Sequence, residues 1–156
     1  METASIKTLK DELKHQSSAE LLELCLKLIR FKKENKELLT YLLFEAHDEA
    51  RYIESIKNEM DTLFEGINTK SYFFIRKSVR KILTNTKKYI RFSKKKETEV
   101  VLLIYFCKKL KSMKPLIKRS PRLQNILTTQ VKLIEKLLLK LHEDLQYDYQ
   151  LQLDEL

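Results

Sequence analysis

The sequence contains almost none of the residues that make tight turns. Gly66 is its single glycine, and Pro115 and Pro121 are its only prolines in 156 residues. Sheet-rich domains need many tight turns, and such turns use Gly and Pro. The scarcity of both, with an abundance of Leu, Lys and Glu, argues against a sheet and predicts long helices.

Cysteine is also scarce, which argues against a disulfide-stapled scaffold. Cys25 and Cys107 both lie in apolar runs, at residues 21–29 and 100–107. A thiol in such a run behaves as a small hydrophobic side chain. We therefore expect two buried free thiols, with one structural disulfide as the alternative.

Long hydrophobic runs are absent as well. The longest is Val100–Cys107, whereas a membrane span needs about 20 apolar residues. Residues 1–6 have neither the basic nor the apolar region of a signal peptide. These features predict a soluble, cytoplasmic protein with no transmembrane segment.

The apolar spacing predicts an all-α fold of about seven helices in a single domain, residues 1–156. The architecture is either a compact bundle or a short irregular helix-hairpin solenoid. The first predicted helix covers about 5–15, the second begins at 17 and the third at about 35, and the others cover about 48–66, 69–93, 96–114 and 120–147. The third and fourth are either separate helices or one, because no breaker lies between Phe44 and Asp48. The sixth is apolar on nearly every side and should be the central one. Residues 148–156 are either a frayed helix or an acidic tail, and such a tail would fold back on a basic surface of this chain or of a neighbour.

Helix boundaries have recognisable signals. Ser17 and Glu20 have the spacing of a capping box, and Asn35 and Asp48 are expected caps of the third and fourth helices. Gly66 is expected to end the fourth helix in a left-handed conformation. Ser120 followed by Pro121 is a favoured helix start.

Charge is distributed very unevenly along the chain. Residues 70–122 carry 18 Lys and Arg against 2 Asp and Glu, a net charge of +16. Residues 1–69 carry −4 and residues 123–156 carry −3, which leaves +9 for the whole chain. Such a concentration of one sign in a third of the chain suggests an anionic partner.

The fifth predicted helix carries most of this charge on one side. At 100° per residue its apolar side chains share one sector, and the basic ones lie beside and opposite it. Phe73 falls within the basic sector, and Phe74 lies at its edge. We take this sector as the candidate anion- or partner-binding site, formed by Arg76, Lys77, Arg80, Lys81, Lys87, Lys88, Arg91 and Lys95. A second basic cluster, residues 108–122, surrounds the next turn.

These features favour a non-enzymatic helical interaction module whose basic face docks an acidic protein surface or a second copy. The alternative function is sequence-nonspecific nucleic-acid binding through the 70–122 region. Lysine and arginine there would neutralise phosphates, and exposed aromatics would stack on bases. A basic face that is only solvated is a third interpretation.

Motifs for chemistry are lacking. His15, His47 and His142 are far apart and show no metal-ligand spacing on a helix. Glu45, His47, Asp48 and Glu49 form the nearest approach to a cluster, and we expect a polar corner between helices there and not a metal site. With one glycine there is no phosphate-binding loop. We predict no catalytic residue, no metal and no cofactor.

Several short stretches resemble a family of small all-helical bacterial proteins of unknown function. The resemblance covers about residues 5–110 and is carried by residues 9–13, 18–24, 33–39, 78–82 and 102–106. After Lys111 the chain departs from the family, because the Gly- and aromatic-rich ending is missing. The resemblance implies a bacterial, intracellular, helical protein and assigns no functional residue.

Overall fold

The computed structural model describes all residues, Met1–Leu156, and confirms the all-α prediction with eight α-helices and no strand. The chain divides into two compact units, Met1–Phe44 and Glu45–Leu156, where the sequence predicted one domain. No Gly, Pro or polar linker marks the boundary. It falls in a π-helical turn, Tyr41–Glu45, that continues the helical sequence pattern.

The first unit contains three short helices, α1 (Ile6–Lys14), α2 (Ser18–Phe31) and α3 (Lys33–Thr40). The predicted capping box is confirmed. The Ser17 amide donates to Glu20 Oε2 at 2.7 Å, and the Glu20 amide donates to Ser17 Oγ at 3.3 Å. Helix α3 begins before Asn35, so the predicted Asn35 cap is wrong. Its side chain instead donates to the Leu28 carbonyl at 2.8 Å and fastens α3 to the end of α2.

The second unit is a bundle built around one central helix. Its helices are α4 (Glu49–Glu65), α5 (Tyr72–Ser93), α6 (Lys96–Ser112), α7 (Pro121–Leu138) and α8 (Glu143–Asp154), with a 3-10 turn at Ile117–Arg119. Helix α6 packs against α4, α5, α7 and α8. None of residues 98–110 is exposed, which confirms the predicted central position.

Specific contacts hold α4 and α5 in this bundle. The Phe64 and Phe106 rings lie 5.8 Å apart between α4 and α6. Tyr52 Oη on α4 donates to the Tyr89 carbonyl on α5 at 3.0 Å. Helix α5 itself buries one side, formed by Ile75, Val79, Ile82, Thr86 and Ile90. Its opposite side is therefore presented to solvent on a rigid rod.

Two predicted turns have a different backbone from the expected one. Helix α4 ends at Gly66 as predicted, but Gly66 has φ −79° and ψ 3°, so its predicted left-handed conformation is wrong. The left-handed residue is Lys94, with φ 59°, in the short turn between α5 and α6. Pro121 starts α7 as predicted, whereas the buried Ser120 hydroxyl makes no capping bond and has no partner.

The predicted last helix is two helices. Helix α7 ends at Leu138, and α8 begins at Glu143 with His142 as its cap, the ring Nδ1 accepting from the Asp144 amide at 3.4 Å. Helix α8 continues through the predicted tail to Asp154. The buried side chain of Leu153 fixes it, together with a 2.9 Å hydrogen bond from Tyr149 Oη to Glu97 on α6.

Candidate docking surfaces

The exposed side of α5 carries two groups of basic residues, one at 76–81 and one at 87–91, with the exposed Thr84 between them. Seven of its residues are Lys or Arg, and the helix contains no acid. From Arg76 to Arg91 the two groups together span about 23 Å at 1.5 Å per residue. Their members are Arg76, Lys77, Arg80, Lys81, Lys87, Lys88 and Arg91, all exposed or half-buried. We call this set the α5 stripe.

Most of these cations have no partner within the chain. The side chains of six of them, all but Lys88, form no hydrogen bond and no ion pair. Lys88 Nζ lies 4.7 Å from the centre of the Tyr89 ring. Lys95, the eighth predicted site residue, lies beyond the end of α5, where its Nζ pairs with Glu49 Oε2 at 3.0 Å. The structure therefore assembles seven of the eight predicted residues and assigns Lys95 to an internal contact.

An apolar patch lies at the N-terminal end of the stripe. The Phe73 and Phe74 side chains are 62% and 45% exposed, and their rings meet edge to face at 5.5 Å. Tyr72 Oη donates to the Leu116 carbonyl at 3.1 Å, which brings the exposed Leu116 to the same end of α5. The surface thus combines a row of cations with a small hydrophobic end.

The second predicted basic cluster is partly neutralised by the chain's own acids and carbonyls. Lys109 Nζ lies 2.8 Å from Asp61 Oδ1. Lys111 Nζ donates to the Glu155 carbonyl at 3.2 Å, and Lys108 Nζ lies 3.8 Å from Glu155 Oε2. The predicted acidic tail therefore meets these lysines and docks on α6 and α7. The remaining cations of the cluster, Lys114, Lys118, Arg119 and Arg122, are exposed.

The acidic cluster at residues 45–49 is divided between two structural roles. Asp48 caps α4, its Oδ1 accepting from the Arg51 amide at 3.0 Å. Glu49 accepts hydrogen bonds from Ser93 and from Thr98 Oγ1, the latter at 2.6 Å, and joins α4 to the α5–α6 turn. No group of three or more His, Cys, Asp and Glu side chains in the structure has the geometry to hold a metal ion.

A polar network between α4 and α6 was missed by sequence reasoning. Tyr105 Oη donates to Asp61 at 2.7 Å, and Lys109 pairs with the same carboxylate. Burial raises the pKa of Tyr105 to about 12, helped by the Asp61 charge. Burial would raise the pKa of Asp61, but hydrogen bonds from Lys109 and Tyr105 outweigh that effect and hold it below its ordinary value. The network joins α4 to α6.

The two cysteines differ from each other. Both thiols are free, as predicted, and Cys107 is buried in α6, where burial raises its pKa to about 12. Cys25 is exposed, so its predicted burial is wrong. The apolar run on α2 that contains Cys25 packs against α3, but no residue of α2 is fully buried by it. Sequence periodicity alone does not show how completely such a face is covered.

The first unit exposes a large apolar surface. No residue of α1, α2 or α3 is buried. A groove of about 680 Å³ runs between α1 and α2, and its apolar lining is Leu9, Leu13, Leu24, Leu28 and Phe31. We call these five residues, with the neighbouring Ile6, the α1–α2 face.

No helix of the protein is both long and apolar enough to cross a membrane. The resemblance to a bacterial family stays a prediction. Comparison with protein-family models, with curated proteins and with solved structures finds no match for this chain.

Proposed function

We propose that the protein is a non-enzymatic helical interaction module that docks an acidic protein surface through the α5 stripe. The observation that carries the proposal is the row of six cations without an intramolecular partner on a helix that contains no acid. A cation that already pairs with an acid of its own chain adds little binding free energy when an external partner docks. Unpaired ones at fixed spacing gain charge-assisted hydrogen bonds from carboxylates.

The shape of the surface favours a protein partner. The stripe lies on one side of a single helix, so an acidic helix or strand can lie along it over about 23 Å. Phe73 and Phe74 at its end offer the apolar anchor that protein interfaces use near their cations. Electrostatic complementarity along the stripe would guide the encounter, and the anchor would slow dissociation.

The proposal places the protein in the cytoplasm, where glutathione keeps thiols such as Cys25 and Cys107 reduced. A bacterial source is proposed only from the resemblance noted above.

A second candidate is nonspecific binding of single-stranded nucleic acid. The observation favouring it is the exposed Phe73 side chain within the basic sector. An aromatic ring beside cations can stack on an unpaired base while the cations contact phosphates. On this alternative Lys77, Arg80, Lys81 and Arg91 would contact the backbone, and Lys88 would assist them.

A charge-reversal pair of variants tests the proposal. The stripe variant carries Lys77→Glu, Lys81→Glu and Lys87→Glu. The matched control, the α7 triple variant, carries Lys132→Glu and Lys136→Glu on α7 and Lys140→Glu just beyond its end, and all three lysines are exposed. Both triple variants lower the net charge by the same amount, so any difference between them reports position rather than total charge.

Binding is measured by fluorescence anisotropy with a labelled glutamate-rich peptide and a labelled single-stranded oligonucleotide, at low and at physiological salt. We expect the peptide to bind, and the stripe variant to weaken binding at least tenfold while the control does not. Oligonucleotide binding at physiological salt that only the stripe variant loses would favour the second candidate. Equal effects of the two triple variants, or no binding of either probe at low salt, would reject the α5 stripe as a docking site.

A further inference from the structure

We propose that the first unit pairs with the first unit of a second copy. The two α1–α2 faces would meet with their α2 helices antiparallel, across a two-fold axis close to Leu24 and Cys25. The inference goes beyond the proposed function, because it concerns a different surface, held by a different kind of force.

The apolar side chains of the first unit indicate that it needs a partner. Ile6 is 86% exposed, Phe31 82% and Leu28 59%. Ordering a residue costs roughly 1–2 kcal/mol of conformational entropy, which burial of apolar surface normally offsets. Isolated helices shorter than about 12–15 residues are marginal in water. Helices α1 and α3 have 9 and 8 residues and contain no fully buried residue.

The size of the face fits a second copy. Large side chains have roughly 150–200 Å² of surface each, so the exposed fractions of the six residues correspond to about 600 Å² per copy. A two-fold pair would then bury about 1,200 Å² of apolar surface, which reaches the lower bound for specific, stable interfaces. The polar groups that border the groove, Glu12, Gln16 and Lys27, would add a rim.

The charges on α2 favour an antiparallel copy over other occupants. Glu20 and Glu23 lie in the first half of the helix, and Lys27 and Arg30 lie in the second. At 100° per residue Glu20 and Lys27 border the apolar side along the same edge. An antiparallel pair therefore places Glu20 of each copy beside Lys27 of the other, whereas a parallel pair would align like charges.

A partner helix whose charges all have the same sign would be electrostatically complementary to only half of α2. An acidic helix laid in the groove would meet Glu20 and Glu23, and a basic one would meet Lys27 and Arg30. A second copy is the occupant whose charge order is complementary by symmetry, because a two-fold interface uses the same patch on both sides. Antiparallel α2 helices also oppose their dipoles favourably.

The exposed thiol provides a direct probe of the pairing. Cys25 lies at the level of the proposed axis but on the α3 side of α2, where it lines a groove with Leu38 and Leu39. The two Cys25 thiols of a pair would therefore lie close together at one edge of the interface, across α2 from Glu20 and Lys27. A short bis-maleimide should therefore cross-link the native protein into a covalent dimer. Cys25→Ser should abolish the product, since Cys107 is buried and protected.

The decisive experiment measures molar mass by sedimentation equilibrium for the full chain and four variants. Lys27→Glu alone and Glu20→Lys alone should each weaken self-association at least tenfold, because each places like charges together twice. An equimolar mixture of these two variants should regain a dimeric mass, since the mixed pair restores opposite charges. Glu20→Gln keeps a capping-box residue and controls for loss of the cap. Lys7→Glu, on the other side of α1, should change nothing.

A monomeric mass at every concentration up to about 0.5 mM would overturn the proposal. So would a mixture that fails to regain the dimer, or a Lys27→Glu variant as dimeric as the parent. The α5 triple variant should keep the parent mass, so that failure of the docking function and failure of this pairing give different results.

Discussion

Individual charged residues in this protein differ mainly in whether they have a partner. Asp61 accepts hydrogen bonds from Tyr105 and forms an ion pair with Lys109. Asp11, by contrast, pairs only with Lys14, on an exposed turn of α1. Exposed pairs contribute little because water and salt screen them. A half-buried carboxylate that accepts several hydrogen bonds, as Asp61 does, contributes more.

We therefore expect Asp61→Asn to lower the free energy of unfolding by about 1–2 kcal/mol at pH 7. The folded pKa of Asp61 lies below the unfolded value, so its contribution is present above about pH 4 and is lost as pH falls through the folded pKa. Urea unfolding at pH 7 and pH 3 should show the difference from the parent protein narrowing at the lower pH. Asp11→Asn, the exposed counterpart, should change stability by less than about 0.5 kcal/mol at either pH.

At the scale of helices and turns, the α5–α6 connection contains the only strained backbone. Lys94 closes α5 in the left-handed region, its amide donating to the Ile90 carbonyl at 2.9 Å. A non-glycine residue there costs roughly 1–2 kcal/mol. The long side chain of Lys94 is exposed and does not offset this cost.

Lys94→Gly should raise the free energy of unfolding by about 0.5–1 kcal/mol, because glycine removes the steric cost but adds chain entropy to the unfolded state. Chemical denaturation monitored by circular dichroism would measure the change. Lys94→Ala removes the charge and keeps the Cβ atom, so it should give no such gain. Equal stabilisation by both substitutions would trace the effect to charge and not to backbone conformation.

Some helix ends were predictable from sequence and others were not, for physical reasons. Ser17 and Glu20 satisfy each other locally, so their spacing alone predicts the cap. The sequence after Leu138 contains no Gly, Pro or Ser that would predict the end of α7. The cap of α8 is His142, a residue type that is uncommon at this position. The α5 stripe was predictable because helical periodicity fixes which residues share a side. The exposure of Cys25 was not, because it depends on tertiary packing around α2.

For the whole molecule, the concentration of like charge on α5 has an energetic cost. Arg76 and Arg80, Lys77 and Lys81, and Lys87 and Arg91 are each four residues apart on the same helix. Like charges at this spacing destabilise a helix by about 0.2–0.5 kcal/mol per pair. The protein tolerates this repulsion because the other side of α5 is anchored in the bundle.

Raising NaCl from about 0.02 M to about 0.5 M should therefore increase the free energy of unfolding by about 1 kcal/mol, since salt screens these pairs. Thermal unfolding at several salt concentrations would measure it. The triple variant Arg76→Gln, Lys77→Gln and Lys87→Gln removes one charge from each of the three pairs and should lose most of this salt dependence, whereas the α7 triple variant should retain it. A parent protein whose stability is indifferent to salt would contradict the repulsion.

The burial of the middle of α6 has a consequence for which substitutions the sequence tolerates. Residues 98–110 include no exposed position, and most of them are fully buried, so most substitutions there change the volume or polarity of an interior site. Helix α5 has one buried side and one solvent-exposed side, and the exposed side tolerates exchange among polar residues without loss of folding. Mutational tolerance should thus be lowest through the stretch from Thr98 to Leu110 and should vary with helical period along α5. A position on the exposed side of α5 that nevertheless tolerates few substitutions would be one that a binding partner constrains, and not one that folding constrains.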